Sequence, residues 1–570
     1  MSFKPNALFL TDGYKPGHKR MLAPGAVRLY GAWMPRSLKR APIGITKIVS
    51  FGQQLVAKFI HDSFKDNFFN LSWSEAEQFI KDMNLYLGMP YDGSHFEDLW
   101  KLGYLPIRIK SLPEGIETKP GIPHMTFINT VDGYAWLTLY LETVISNAAW
   151  KSSTAATIAK LYRRRAEEWV LKTDPANMWL VDYMCHDFSG RGLSGWFDMV
   201  LVGLGHATSF RGSDQLIVIP ASRYYYGVGR NEMPINSVNA SEHSVSCTQL
   251  FYYESELKRG VLNDKIKEYY SFDLPSDGSI DNPDYLTIAE WLMLDDWLDR
   301  FTTGILSVVD DTMNTWKHIT HVIARLKDKI LARDGKLVTR PDSGNPVDII
   351  CGYKVRNLTS VVLDDSGIRY ANTDDVGKVV SEYKNISDAE YKGVIELLWD
   401  IFGGTVNEHG YKVLDPHIGS LYGDSITTER QLAIYDRLER KGFAATNIVL
   451  GIGSYTYQYV TRDTFGWAAK GAWFEINEAL IELPGTWADA AMGKRKSYDI
   501  YKDPATGDGT KTSLRGLQAV HIDHNNELYV KSQCTWEEES QGLLHVIYED
   551  GNFHNQVKLD DIRNTLSNQK

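Results

Sequence analysis

With 570 residues, 43% of them hydrophobic and 23% charged, the chain has an ordinary globular composition and length enough for two or more cores. Its 61 basic against 72 acidic side chains give a formal charge of -11 with no long basic block, which argues against nucleic acid as a partner. The four cysteines (Cys185, Cys247, Cys351, Cys534) lack C-x-x-C spacing, the apolar run near residue 10 is too short for a signal-peptide core, and no run is long enough to span a bilayer; the expectation is a cytoplasmic enzyme without disulfides or a thiolate zinc site.

Residues 1–178 read as an α+β segment. Thr11-Asp12-Gly13-Tyr14-Lys15 is a turn carrying an aromatic, and residues 48–60 read as a strand-like entry into an amphipathic helix. Residues 105–110 alternate like a strand, Pro113-Glu114-Gly115 turns the chain, and residues 126–130 are expected to pair with that strand. Helix is predicted next, with apolar residues at helical spacing over 136–150 and continuing over 152–170 with an arginine-rich solvated face. From 179 to 465 the pattern changes: short apolar runs (181–185, 206–210, around Val238, 305–309, 337–339, 421–422, 448–450) each end in a polar loop, and segments such as 313–333 and 427–441 read as helices. Strand, polar loop and helix in repetition predict an α/β barrel whose strand ends converge on one site, with an open doubly wound sheet as the alternative. Residues 351–403, with a hairpin (360–363 and 368–371) and a helix over 387–402, read as an elaboration on one barrel loop. The segment 466–570 returns to short strands (498–502, 517–523, 527–531, 544–548), expected to pack with the N-terminal segment as a second domain.

The stretch with most chemical content is Lys336-Leu-Val-Thr-Arg340-Pro-Asp342-Ser-Gly-Asn-Pro346. A buried-strand pattern stops at Arg340; Pro341 biases that arginine towards an extended conformation, and Gly344 and Pro346 prevent regular continuation. A fixed cation beside a fixed anion suits a phosphorylated, hydroxylated substrate, or else makes a structural pair at a turn. Gly451-Ile-Gly453-Ser454 after a strand offers backbone N–H groups for phosphate, though a close strand–helix turn explains it equally well. Asp310-Asp311 follows Val308-Val309; Asp311 is a candidate for Mg2+ through water or for a helix cap. His243 lies on a loop after Glu242 with Ser244 on its far side, and a structural hydrogen-bonding histidine is the default reading. Phe188, in a glycine-rich loop, either stacks on a planar substrate or tucks under its own loop. His186 reads as a strand residue, and His318 with His321 lacks a third metal ligand.

Together, the stretches Thr11-Asp-Gly-Tyr14-Lys, His186-Asp-Phe188 with Arg191-Gly, Arg211-Gly-Ser-Asp214, Glu242-His243-Ser, Arg340-Pro-Asp-Ser-Gly-Asn-Pro, Gly423-Asp424, Gly451-x-Gly453, Thr461-Arg462-Asp463 and Lys502-Asp-Pro resemble the nicotinamide phosphoribosyltransferases, which are type II phosphoribosyltransferases. The resemblance implies an irregular α/β barrel with a domain built from both chain ends, and a homodimer with shared sites. It implies transfer of phosphoribosyl from phosphoribosyl pyrophosphate to nicotinamide in NAD salvage, with Mg2+, and with ATP phosphorylating His243. Phe188, and Tyr14 from the other subunit, would sandwich the pyridine ring, while Arg340 and Asp214 would address the carboxamide. Arg191, His243, Asp342, Gly423, Asp424, Gly453, Ser454 and Arg462 would surround the phosphoribosyl group, with Arg36, Lys470 and Lys502 at the pyrophosphate end. Asp214 accepts from an amide N–H2 and repels a carboxylate, which favours nicotinamide over nicotinic acid. The rival readings are the same chemistry on nicotinic acid and an inactive binding protein on this scaffold. The chain departs from the family at Ser454-Tyr455, at Asp310-Asp311-Thr-Met-Asn314 and over 351–403.

Overall fold

The computed structural model describes residues 4–271, 282–354, 361–363, 369–374, 379–423, 425–482, 494–502 and 514–569. Two sheets organise them. The first is parallel, with strand order Cys185–Asp187, Ile448–Ile452, Ile418–Tyr422, Asp334–Arg340, Thr303–Val309, Asn239–Ala240. Parallel bridges Asp187↔Ser213 and Gly212↔Asn236 carry the sheet on from its first strand towards its last, so it curls into an irregular barrel. Apolar, β-branched runs such as Leu337-Val338 suit strands covered on both faces. Because every strand runs the same way, Asp187, Ala240, Val309, Arg340, Tyr422 and Ile452 all end at one rim, and the loops that follow them meet there.

The second sheet has order Arg495–Asp499, Ala468–Asn477, Ala26–Met34, Met125–Asn129, Ile107–Ser111, His545–Glu549, Asn552–Phe553, so both ends of the chain contribute to it. Its strands pair antiparallel, with Ala32 opposite Lys470 and Met34 opposite Ala468. Just past that register Arg36 N and Ser37 N both donate to the Phe465 carbonyl (2.9 and 3.1 Å), and the Trp33 and Trp467 indoles stack at 4.1 Å. The helix Ala135–Thr173 packs against strands Ala26–Met34 and Ala468–Asn477 on one side and against helix Trp196–Ala207 of the barrel on the other, joining the two sheets through one continuous apolar core.

The helix read over 136–150 and continuing over 152–170 is one 39-residue helix, with the Ser153 hydroxyl donating to Val49 O and the Thr157 hydroxyl to Ser153 O. Two expectations change. The helix predicted over 313–333 runs from Thr315 through a π-helical stretch, His318–Ile323, and is interrupted at Leu326 before Lys327–Leu331. The 351–403 hairpin gains a third strand, Val379–Ile386, and the helix after it splits at Gly393, whose φ is +77°. Among the described residues no helix is long and apolar enough to cross a membrane.

Candidate active site

At the barrel rim the segment after Asn239–Ala240 is pinned to its neighbour strand. Ser241 N donates to Ser307 O (3.0 Å), Val309 N donates to Ser241 Oγ (2.9 Å), and the Arg340 guanidinium donates to the Ser241 carbonyl. Two residues on, His243 opens the helix His243–Lys258, and its Nε2 lies 2.9 Å from Asp311 Oδ1. The other oxygen of Asp311 accepts from the Asp342 backbone N–H (3.2 Å) and the Ser343 hydroxyl. Asp311 is 7% exposed and His243 46%, so the carboxylate is fixed while the imidazole faces solvent. Asp311 therefore caps no helix; Asn314 does that for Thr315–Lys317.

Asp342 sits against Gly423: a Cβ on that glycine would occupy the place of Asp342 Oδ1. This is a reason for glycine quite apart from φ. Gly423 N also donates to Pro341 O (3.1 Å), locking the two rim loops together. Asp424 lies outside the described residues. Gly453 precedes the short helix Ser454–Gln458, and a Cβ on Gly192 would strike Ser454 Oγ, so the turn bearing the exposed Arg191 lies directly on the Gly453-Ser454 edge. Tyr455 stacks on Tyr459 at 4.2 Å, both rings exposed.

Phe188 follows the Cys185–Asp187 strand. Its N–H donates to Ile452 O (2.9 Å), and the buried Asp187 carboxylate holds the loop by accepting from Ser189 N (2.9 Å) and from Gln215 Nε2. The Phe188 ring lies 4.6 Å from the imidazole of His186, tilted 32°. Asp214 is beside them, with Oδ1 2.8 Å from His186 Nε2 and accepting from the Ser237 hydroxyl. Burial pushes the Asp214 carboxyl up, but the His186 hydrogen bond and charge, the Ser237 hydroxyl and the field of Arg340 outweigh it, so Asp214 ionises below its ordinary value.

Tyr14, Arg36, Arg462 and Lys470 are not part of this rim. They line a separate cavity of about 390 Å³ with Asp12, Lys15, Glu142, Asn147 and Trp150. Sheet pairing and the Phe465 turn bring Arg36, Arg462 and Lys470 together from distant parts of the chain. The pKa of Arg36 is lowered by burial and then by the positive charge of Arg462, with Asp463 opposing. Two guanidiniums that repel one another at a cavity wall make a site that gains from an anion. Tyr14 is 64% exposed. Lys15, next to it, is committed to Glu142 at 2.6 Å. Lys502 is exposed, three residues past the Arg495–Asp499 strand, and does not line the cavity.

The structure brings Phe188, Asp214, His243, Asp311, Arg340, Asp342 and Gly423 to one rim, and it sets Arg462, for which the resemblance implies a place at the phosphoribosyl group, beside Arg36 and Lys470. Sequence reasoning missed His186, Ser237, Ser241 and Ser343. Only the histidine carried any signal, through its place at the end of a strand. Behind the rim Asp310, Glu290 and His318 form a buried group. Asp310 is pushed up to about 8 by burial, with His318 opposing and Asp311 and Glu290 adding, and His318 Nδ1 is 3.6 Å from Glu290. Among the described residues no group of three or more His, Cys, Asp or Glu side chains is placed to hold a metal ion.

An α/β barrel whose rim gathers a histidine–aspartate pair, an arginine and glycine edges, beside a sheet from both chain ends with an anion-seeking cavity, has the parts of a phosphoribosyltransferase. The sequence pattern of the nicotinate phosphoribosyltransferase (NAPRTase) family matches residues 183–516, and the chain belongs to that family. It is 36% identical to the nicotinamide phosphoribosyltransferase of Acinetobacter baylyi over 100% of this chain and 98% of that protein. It is 30% identical to the nicotinamide phosphoribosyltransferase of Mycoplasma pneumoniae over 72% of this chain and 70% of that one. Among solved structures, nicotinate-nucleotide pyrophosphorylase from Pyrococcus furiosus aligns with 99% of this chain and 95% of its own at 14% identity and a TM-score of 0.48.

Proposed function

We propose that this enzyme transfers phosphoribosyl from phosphoribosyl pyrophosphate to nicotinamide, giving nicotinamide mononucleotide and pyrophosphate for NAD salvage. The observation that carries the choice of nicotinamide is Asp214. An ionised carboxylate beside the Phe188 ring accepts from an amide N–H2 and repels a carboxylate, and full-length identity to a relative named for nicotinamide points the same way.

In the reaction the pyridine nitrogen lone pair attacks ribose C1 as the bond from C1 to the pyrophosphate oxygen breaks, and those electrons leave with pyrophosphate. The ring nitrogen has no proton to lose, so orientation of the ring over Phe188 replaces base catalysis. Positive charge grows on the sugar, where Asp311 and Asp342 stand, and negative charge grows on the leaving group. Arg36, Lys470 and Arg462 are the cations for that leaving group, with Arg191 at the phosphate edge beside Ser454. Mg2+ bound to the substrate would offset part of its diphosphate charge, and Asp342, with Asp311 through water, would hold it.

These groups lie in two half-sites of one chain, so we place the working enzyme as a homodimer in the cytoplasm. The cavity of one protomer, with Tyr14, closes over the barrel rim of its partner, with Phe188. Four free thiols, three of them buried, suit a reducing setting. His243 is the group through which ATP drives the transfer. With Nε2 donating to Asp311, Nδ1 keeps its lone pair, attacks the terminal phosphorus and releases ADP. Radiolabelled phosphoribosyl pyrophosphate with each pyridine, with and without ATP, tests the reading. Nicotinamide mononucleotide as the main product, with ATP stimulation lost in His243→Ala, is expected; product from nicotinate alone would refute it.

A further inference from the structure

His186 and Ser237 make their hydrogen bonds to the same oxygen of Asp214, Oδ1. Among the described residues no hydrogen bond to Oδ2 is made, and the Asp214 side chain is 44% exposed. A carboxylate anchored through one oxygen has its plane fixed and presents the second as a directed acceptor. The anchors are themselves held. His186 is buried in the strand Cys185–Asp187, under the Phe188 ring, and a Cβ on Gly212 would come within 2.9 Å of its Nδ1. Ser237 follows Asn236, whose N–H donates to Arg211 O (2.7 Å) and whose carbonyl accepts from Ser213 N (3.1 Å).

We propose that His186 and Ser237 are positioning residues for amide selectivity: by occupying Asp214 Oδ1 from two sides they fix Oδ2 as the acceptor for the carboxamide N–H2, so that Asp214 alone does not set the preference for nicotinamide over nicotinate. The inference rests on the nicotinamide reading. An ionised partner requires His186 to carry its proton on Nε2, which fixes the imidazole tautomer as well as the ring that supports Phe188. One residue therefore couples the stacking surface to the hydrogen-bonding wall of the pocket.

The test is the ratio of kcat/KM for nicotinamide to that for nicotinate, at saturating phosphoribosyl pyrophosphate, in wild type, His186→Phe, His186→Gln, Ser237→Ala and, as the ceiling, Asp214→Ser. His186→Phe keeps a ring under Phe188 and removes the donor; His186→Gln restores a donor. Expected are a roughly tenfold fall in the ratio for His186→Phe, carried mainly by the KM for nicotinamide, a fall of a few fold for Ser237→Ala, and recovery of most of the loss in His186→Gln. The KM for phosphoribosyl pyrophosphate stays at its wild-type value. If His186→Phe does not fold, Ser237→Ala and His186→Leu, which also lacks a donor, decide. Ratios unchanged in both, or equal losses on both substrates, overturn the inference while leaving Asp214 in place. A wild-type enzyme that prefers nicotinate overturns the parent reading instead.

Discussion

Replacing Asp311 by asparagine removes one charge and leaves the side chain volume nearly intact. Asp311 is almost fully buried, and its two oxygens serve different partners, His243 Nε2 at 2.9 Å and the Asp342 N–H with Ser343. A hydrogen bond to a charged group is worth about 1.5–3 kcal/mol, and the half-exposed imidazole puts this one at the lower end, about 1.5–2 kcal/mol. Since every 1.4 kcal/mol is tenfold, Asp311→Asn is expected to lower kcat roughly 10–30-fold. The loss is largest in the ATP-stimulated reaction, where the asparagine no longer holds the imidazolium that forms when Nδ1 is phosphorylated, and a smaller one remains without ATP because the negative charge facing the sugar is gone. The KM for nicotinamide stays near wild type, Asp311 having no contact with Phe188 or Asp214 among the described residues. Steady-state kinetics with and without ATP, together with acid-labile phosphate on the protein after incubation with labelled ATP, measures both parts. An unchanged kcat, or a loss appearing only in the KM for nicotinamide, would refute the role given to the pair.

Gly423→Ala places a methyl where Asp342 Oδ1 lies, so Asp342 must swing out of the rim; kcat/KM for phosphoribosyl pyrophosphate should fall at least about tenfold while thermal unfolding barely moves. Arg36→Ala should raise the KM for phosphoribosyl pyrophosphate by roughly 10–100-fold without changing that for nicotinamide, and should barely move the melting temperature, since relief of the repulsion from Arg462 offsets the lost hydrogen bond to Gly466 O. The folded-state pKa of Asp310, about 8, is above its ordinary 3.8, so the folded chain holds a proton that the unfolded chain has released between those values, and stability falls as pH rises from about 4 to 8. His318, raised by Glu290 and Asp310 against its burial, adds to the fall on its upper side. Asp310→Asn should remove part of that slope, seen as a melting temperature closer to wild type at pH 5 and higher than wild type at pH 8.

The barrel was legible because its strands are short β-branched runs that stop abruptly at charge or glycine: Leu337 to Thr339 ends at Arg340-Pro341, and Ile448 to Leu450 at Gly451-x-Gly453. Local pattern carries that much because covered parallel strands are apolar on both faces. Helix over 136–170 was legible as well, since no Gly or Pro interrupts it. The site was legible where functional residues cluster at strand ends, as in Arg340-Pro-Asp342. It was not where partners are remote: His186 and Asp214 are 28 positions apart, His243 and Asp311 68, and nothing in either local sequence names the other. The local sequence says little of Arg462, whose phosphoribosyl role only the resemblance implies; antiparallel pairing around Met34 and Ala468 turns it towards Arg36.

The most direct test of the account is competition: purified enzyme with limiting phosphoribosyl pyrophosphate, Mg2+ and equal nicotinamide and nicotinate, products separated by chromatography. The account predicts nicotinamide mononucleotide as the dominant product, with the excess reduced in Asp214→Ser. Nicotinate mononucleotide in excess from the wild-type enzyme would contradict it.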